Sequence, residues 1–66
     1  MSRIGSEISR LRKEKNMTQK QLGKLVGVSE GFIAEVEAGR RVMNDELAAR
    51  VSKVLGREIE KYDLYT

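Results

Sequence analysis

The sequence predicts an all-α fold, a compact bundle of four to five helices forming one domain over residues 1–66. Three observations predict it. Proline is absent. Apolar residues recur at the three- and four-residue spacing of a helix, with no sustained strand-like alternation. Three segments each open on a capping residue and close on glycine: Thr18 to Gly27, Ser29 to Gly39, and Asn44 or Asp45 to Gly56.

Each element has its own warrant. Ile4, Ile8 and Leu11 share one face of a first helix, which fades around Lys15 and Asn16, a residue type that tolerates the left-handed backbone of a helix end. Thr18 caps the second helix and Gln21, three residues on, completes a capping box, while Met17 and Leu22 form a hydrophobic staple across the cap. This helix starts at Gln19, turns Leu22, Leu25 and Val26 inward and stops at Gly27. Ser29 caps the third helix, Val28 staples onto Ile33, and Ile33 with Val36 gives an i, i+3 apolar pair. Gly39 supplies the positive φ of its end. Asn44 or Asp45 caps a fourth helix carrying Leu47, Ala48, Val51, Val54 and Leu55, closed by Gly56. The tail REIEKYDLYT is a short fifth helix or an ordered arm.

Composition removes several classes of function. Without cysteine or histidine, disulfides, thiolate chemistry and the commonest transition-metal ligands are excluded, and no cofactor or metal is expected. Asp and Glu are spread over helix surfaces, so no nucleophile, base and orienting group can be assembled and no enzyme is expected. No apolar run approaches the roughly 18 to 20 residues that span a bilayer, and MSRIGSEISR lacks the apolar segment of a signal peptide. A cytoplasmic protein with no membrane partner is the expectation, nucleoid-associated if the source is bacterial.

The charge is uneven. Overall there are 13 Lys and Arg against 10 Asp and Glu, a net +3. Residues 1–24 hold seven cations and two anions, whereas residues 25–39 hold Glu30, Glu35 and Glu37 with no cation. A basic surface suited to nucleic acid is thus supplied by the first third and by Arg40 and Arg41, not by the third helix.

The most specific signal lies in the second and third helices. Counting from Gln19 as position one, an apolar residue falls at four (Leu22), a small one at five (Gly23), apolar ones at eight and ten (Val26, Val28) and glycine at nine (Gly27). Ile33 and Val36 follow at fifteen and eighteen. Position five lies where the helix axes cross and must be small, glycine at nine permits the change of direction, and the apolar set fixes the pair to its neighbours. This is the helix-turn-helix pattern.

The segment TQKQLGKLVGVSEGFIAEVEAGRR resembles the Cro/C1-type, or XRE-like, helix-turn-helix regulators. IGSEISRLRKEKNMTQKQL is similar to their first helix and DELAARVSKVLG to their fourth. The resemblance implies a lambda-repressor-like bundle that binds double-stranded operator DNA as a two-fold dimer, with the third helix, about residues 29–38, in the major groove. It also implies roles for individual residues. Gln19 touches a phosphate; Ser29, Glu30, Gly31 and Glu35 face the groove or its flanking phosphates; Arg40 contacts the backbone. Arg12 and Glu37 form a structural salt bridge between the first and third helices.

Glu30 and Glu35 depart from the family's usual Gln, Arg, Ser, Thr or Asn. A carboxylate only accepts at neutral pH, so its base partner would be the cytosine N4 amino group. Either one of them reads cytosine while Lys20, Arg40, Arg41 and the helix N-termini hold phosphates, or both are solvated surface charge. Phe32 touches a thymine methyl or shields the helix interface. Ile59, Tyr62, Leu64 and Tyr65 are either core lids or a dimer surface.

A sequence-specific transcriptional regulator, a repressor or its DNA-binding domain, is the first expectation. The alternative is a protein-interaction module on the same fold, antitoxin-like or akin to the multiprotein bridging factors. IAEVEAGRRVMNDELAARVSKVLG is similar to the second half of the bridging factors, acidic third helix included.

Overall fold

A computed structural model describes residues 3–61, which form four helices: α1 (Arg3–Glu14), α2 (Gln19–Val26), α3 (Glu30–Glu37) and α4 (Asp45–Leu55). Local chemistry sets where they begin. Thr18 Oγ1 accepts the Gln21 N–H at 3.0 Å while the Thr18 N–H donates to Gln21 Oε1 at 2.8 Å, a complete capping box. Ser29 Oγ accepts the Phe32 N–H at 3.1 Å. Of the two candidates before α4, Asn44 is the cap, its Oδ1 accepting the Leu47 N–H at 2.7 Å. Each side chain satisfies a backbone donor that the helix leaves orphaned, which stabilises by about 1 kcal/mol.

The helices stop equally locally. Asn16 takes φ 56° and Gly27 φ 83°. The left-handed turn at Gly27 lets the N–H groups of Gly27 and Val28 fold back onto the Gly23 carbonyl at 2.8 and 2.9 Å. Arg50 of α4 adds a side-chain cap, its Nη1 donating to the Val26 carbonyl at 3.3 Å.

Every helix supplies part of one core. Ile8 and Leu11 of α1 meet Leu22 and Val26 of α2, Ile33 and Val36 of α3, and Leu47, Ala48, Val51 and Leu55 of α4. Each large aliphatic side chain removed from water contributes about 1.5–3 kcal/mol to closing this core.

One apolar expectation is corrected and one open choice is decided. Leu25 is 60% exposed rather than inward. On α2 the buried arc runs through Leu22, Val26 and Gly23, and at roughly 100° per residue Leu25 falls off its edge. Ile59 is only 5% exposed within the monomer, so of its two readings the core one holds. Ser52 holds it there: the Ile59 N–H donates to Ser52 Oγ at 2.8 Å, and that hydroxyl lies 2.7 Å from the Ala48 carbonyl it donates to. Residues 57–61 form an arm, not a fifth helix. The Met43 N–H donates to the Lys61 carbonyl at 3.4 Å, and Met43 is buried in the same core. Tyr62, Leu64 and Tyr65 lie outside the described residues.

Candidate nucleic-acid interface

The outward stance of α3 rests on two close backbone approaches. A Cβ on Gly23 would lie 2.6 Å from the Val28 carbonyl oxygen and 3.2 Å from that of Ser29, so α2 runs directly against the turn that launches α3. At the other end, a Cβ on Gly5 would collide with the Glu37 carbonyl oxygen and lie 2.7 Å from that of Val36, so α1 presses on the last turn of α3. The positional pattern identified Gly23. Gly5 was missed, although a glycine inside an otherwise good helical segment with no turn to make was the available signal.

Between these contacts sits a nearly dry ion pair. Arg12 Nε and Nη2 donate to the two oxygens of Glu37 at 2.7 and 3.0 Å, and Nη1 donates to the Met17 carbonyl at 2.8 Å. The two side chains are 9% and 8% exposed. The hydrogen bonds to Glu37, outweighing desolvation and helped by its charge, hold the Arg12 guanidinium above its ordinary pKa. Gln19 Nε2 donates to Glu37 Oε1 at 3.1 Å. One set of contacts therefore joins α1, the start of α2 and the end of α3. It also commits one of the two Gln19 amide hydrogens and leaves the other available.

With Ile33 and Val36 buried, α3 turns a polar edge outward. Ser29, Glu30 and Gly31 are exposed, and Phe32 and Glu35 are partly so. Lys20 on α2 and Arg40, just past Gly39, are also exposed. Phe32 packs against the core cluster on one side; on its other face lies Arg41, with its guanidinium carbon 4.8 Å from the ring centroid. Arg41 Nε and Nη2 both donate to Glu35 Oε1, at 3.1 and 2.9 Å. Sequence reasoning named Phe32, Glu35 and Arg41 separately and did not join them. A pair six residues apart across a helix end lies outside the i, i+3 and i, i+4 rules by which helix pairs are found.

This arrangement, two short helices wedged at Gly23 with the second edge-out, defines a helix-turn-helix unit. The model of the helix-turn-helix family matches residues 8–62, and the chain belongs to that family, of the Cro/C1 type. Among solved structures it is similar to the P22 c2 repressor protein in complex with a synthetic operator, with a TM-score of 0.80, 35% identity and 82% of each chain covered. It is also similar to the clp gene regulator ClgR of Corynebacterium glutamicum, with a TM-score of 0.78, 33% identity, and 83% of this chain and 58% of that one covered. Among curated proteins, multiprotein-bridging factor 1 of Candida albicans is 38% identical over 53 residues, 80% of this chain and 35% of its own. Endothelial differentiation-related factor 1 of Rattus norvegicus is 28% identical over 61 residues, 92% of this chain and 41% of its own. The chain thus spans well under half the length of these curated relatives. Among the described residues no helix is long and apolar enough to cross a membrane.

Proposed function

We propose that residues 1–66 act as one DNA-binding domain of a transcriptional repressor, which places α3 in the major groove of double-stranded DNA as a two-fold dimer. The observation that supports this most is the exposed edge from Ser29 to Glu35, held outward by backbone contacts at Gly5 and Gly23. Edges of this kind dock as a unit only if the platform beneath them is rigid. Lys20, Arg40 and the second amide hydrogen of Gln19 meet phosphates, as do the N-terminal N–H groups of α2 and α3 left over after capping. Two copies would engage half-sites roughly 34 Å apart along the duplex. The P22 relative, solved on an operator, supports the same docking.

A second reading follows from the bridging-factor relatives: the domain binds a partner protein, and DNA contact is weak or partner-dependent. The carboxylate of Glu30 on the outward edge favours it, since it repels phosphate.

Selection from a random DNA pool, followed by salt titration, separates the two. The repressor reading expects one selected motif with two-fold symmetry and a log affinity that falls linearly with log salt. No retained sequence near physiological salt would reject it in favour of the bridging reading.

A further inference from the structure

The contact between Arg41, Glu35 and Phe32 reassigns the base-reading role. We propose that Arg41 reads a guanine and that Glu35, instead of reading a cytosine, is the positioning residue that aims it. The inference rests on the DNA-binding reading above and adds the specificity-determining residue to it.

The geometry of the guanidinium carries the argument. Arginine has five N–H donors on two usable edges: the side edge formed by Nε and one Nη, and the end edge formed by both Nη atoms. Here Glu35 Oε1 occupies the side edge, taking Nε at 3.1 Å and Nη2 at 2.9 Å. The end edge keeps two parallel donors, the fork that matches guanine O6 and N7 in the major groove. Phe32, under the guanidinium at 4.8 Å, fixes the plane in which that fork can swing. Phe32 itself is anchored by packing on the core.

Exposure and charge agree. The Arg41 and Glu35 side chains are 50% and 43% exposed, so the assembly stands on the surface, yet both side chains are held. An unpaired carboxylate at this position of α3 would repel the phosphates on either side of the groove. Paired with Arg41 it is neutralised, and its acceptor capacity is used within the protein rather than on a base. Arg41 lies beyond the end of α3, but its side chain reaches back beside Glu35, two residues from the C-terminal end of the helix. It is therefore placed toward the groove-facing edge and not only at the phosphates past the helix end.

The test compares the selected motifs of the parent chain and of Arg41→Ala, Glu35→Ala and Glu35→Gln, each first matched to the parent in thermal melting. In the parent one position of each half-site is a G·C pair. With Arg41→Ala discrimination there falls roughly five- to 150-fold while the other positions keep theirs. Glu35→Ala weakens the same position, and Glu35→Gln, which keeps an acceptor for the side edge, restores part of it. A G·C preference that persists or sharpens in Arg41→Ala means that Glu35 reads the cytosine directly, and overturns the proposal. Equal weakening on all sequences, with the salt slope reduced by about 0.9, means that Arg41 holds a phosphate, and also overturns it. A parent chain that selects no motif removes the DNA-binding reading and this inference together.

Discussion

Replacing Glu37 with alanine is the perturbation for which the structure gives the firmest magnitude. The change removes both acceptors of the Arg12 fork, at 2.7 and 3.0 Å, and leaves only the bond to the Met17 carbonyl at 2.8 Å. Arg12, 8% exposed, then keeps its charge in a site with little water. Stranding one member of such a pair costs about 3–5 kcal/mol. A chain of this length has a total stability of roughly 3–10 kcal/mol, so the variant is marginal or unfolded. In a thermal melt followed by circular dichroism, Tm falls by at least about 12 °C. The double variant Arg12→Met with Glu37→Leu removes the buried charge as well as the pair, and recovers most of the loss. If Glu37→Ala costs less than about 1 kcal/mol, the value of an exposed pair, or if the double variant is no more stable than the single one, the pair is not the dry structural tie described here.

The remaining predictions use the same contacts. Gly5→Ala lowers stability by about 1–3 kcal/mol, because the close approach to the Glu37 carbonyl outweighs the gain in helix propensity; a urea melt showing stabilisation would reject the contact. Gly31→Ala, where the nearest atom to a new Cβ is Ser29 Oγ at 4.0 Å, stabilises by about 0.5–1 kcal/mol in the same assay. Because Glu37 raises the pKa of Arg12, the stabilisation from its charge is complete below the unfolded value and is lost only as pH rises through the folded one. The stability difference between the parent and Arg12→Met should therefore stay flat from roughly pH 7 to 10, well below where an arginine titrates, and a difference that shrinks across that window would refute the assignment. Arg40→Ala should weaken binding to all DNA sequences alike and reduce the salt slope by about 0.9, and a change confined to one base position would assign Arg40 a different role.

Much of the fold was legible because its decisive signals are local. Thr18 with Gln21, Ser29 and Asn44 act within three residues of themselves, and the helix starts they mark are the ones observed. Gly23 was legible for another reason, since its place in the positional pattern encodes a crossing of two helices. Leu25 failed because an eight-residue helix buries too narrow an arc for three apolar residues to share. Met43 was opaque, and Ile59 stayed open between core and dimer surface, because neither belongs to a helix and no periodic signal marks residues brought together by tertiary contact.

The charges of α3 show the same limit at the site itself. A tally along the chain gives this helix three glutamates and no cation, a face that should be driven off a polyanion. In three dimensions two of those charges are cancelled by arginines from elsewhere: Arg12 reaches Glu37 from 25 residues away, and Arg41 reaches back across the helix end to Glu35. The one that remains, Glu30, lies in the first turn of α3, where the positive end of the helix dipole favours a carboxylate. The acidity read from the sequence is therefore mostly internal to the protein. What the helix offers outward is set by where its glutamates find partners, and a linear tally of charge contains none of that information.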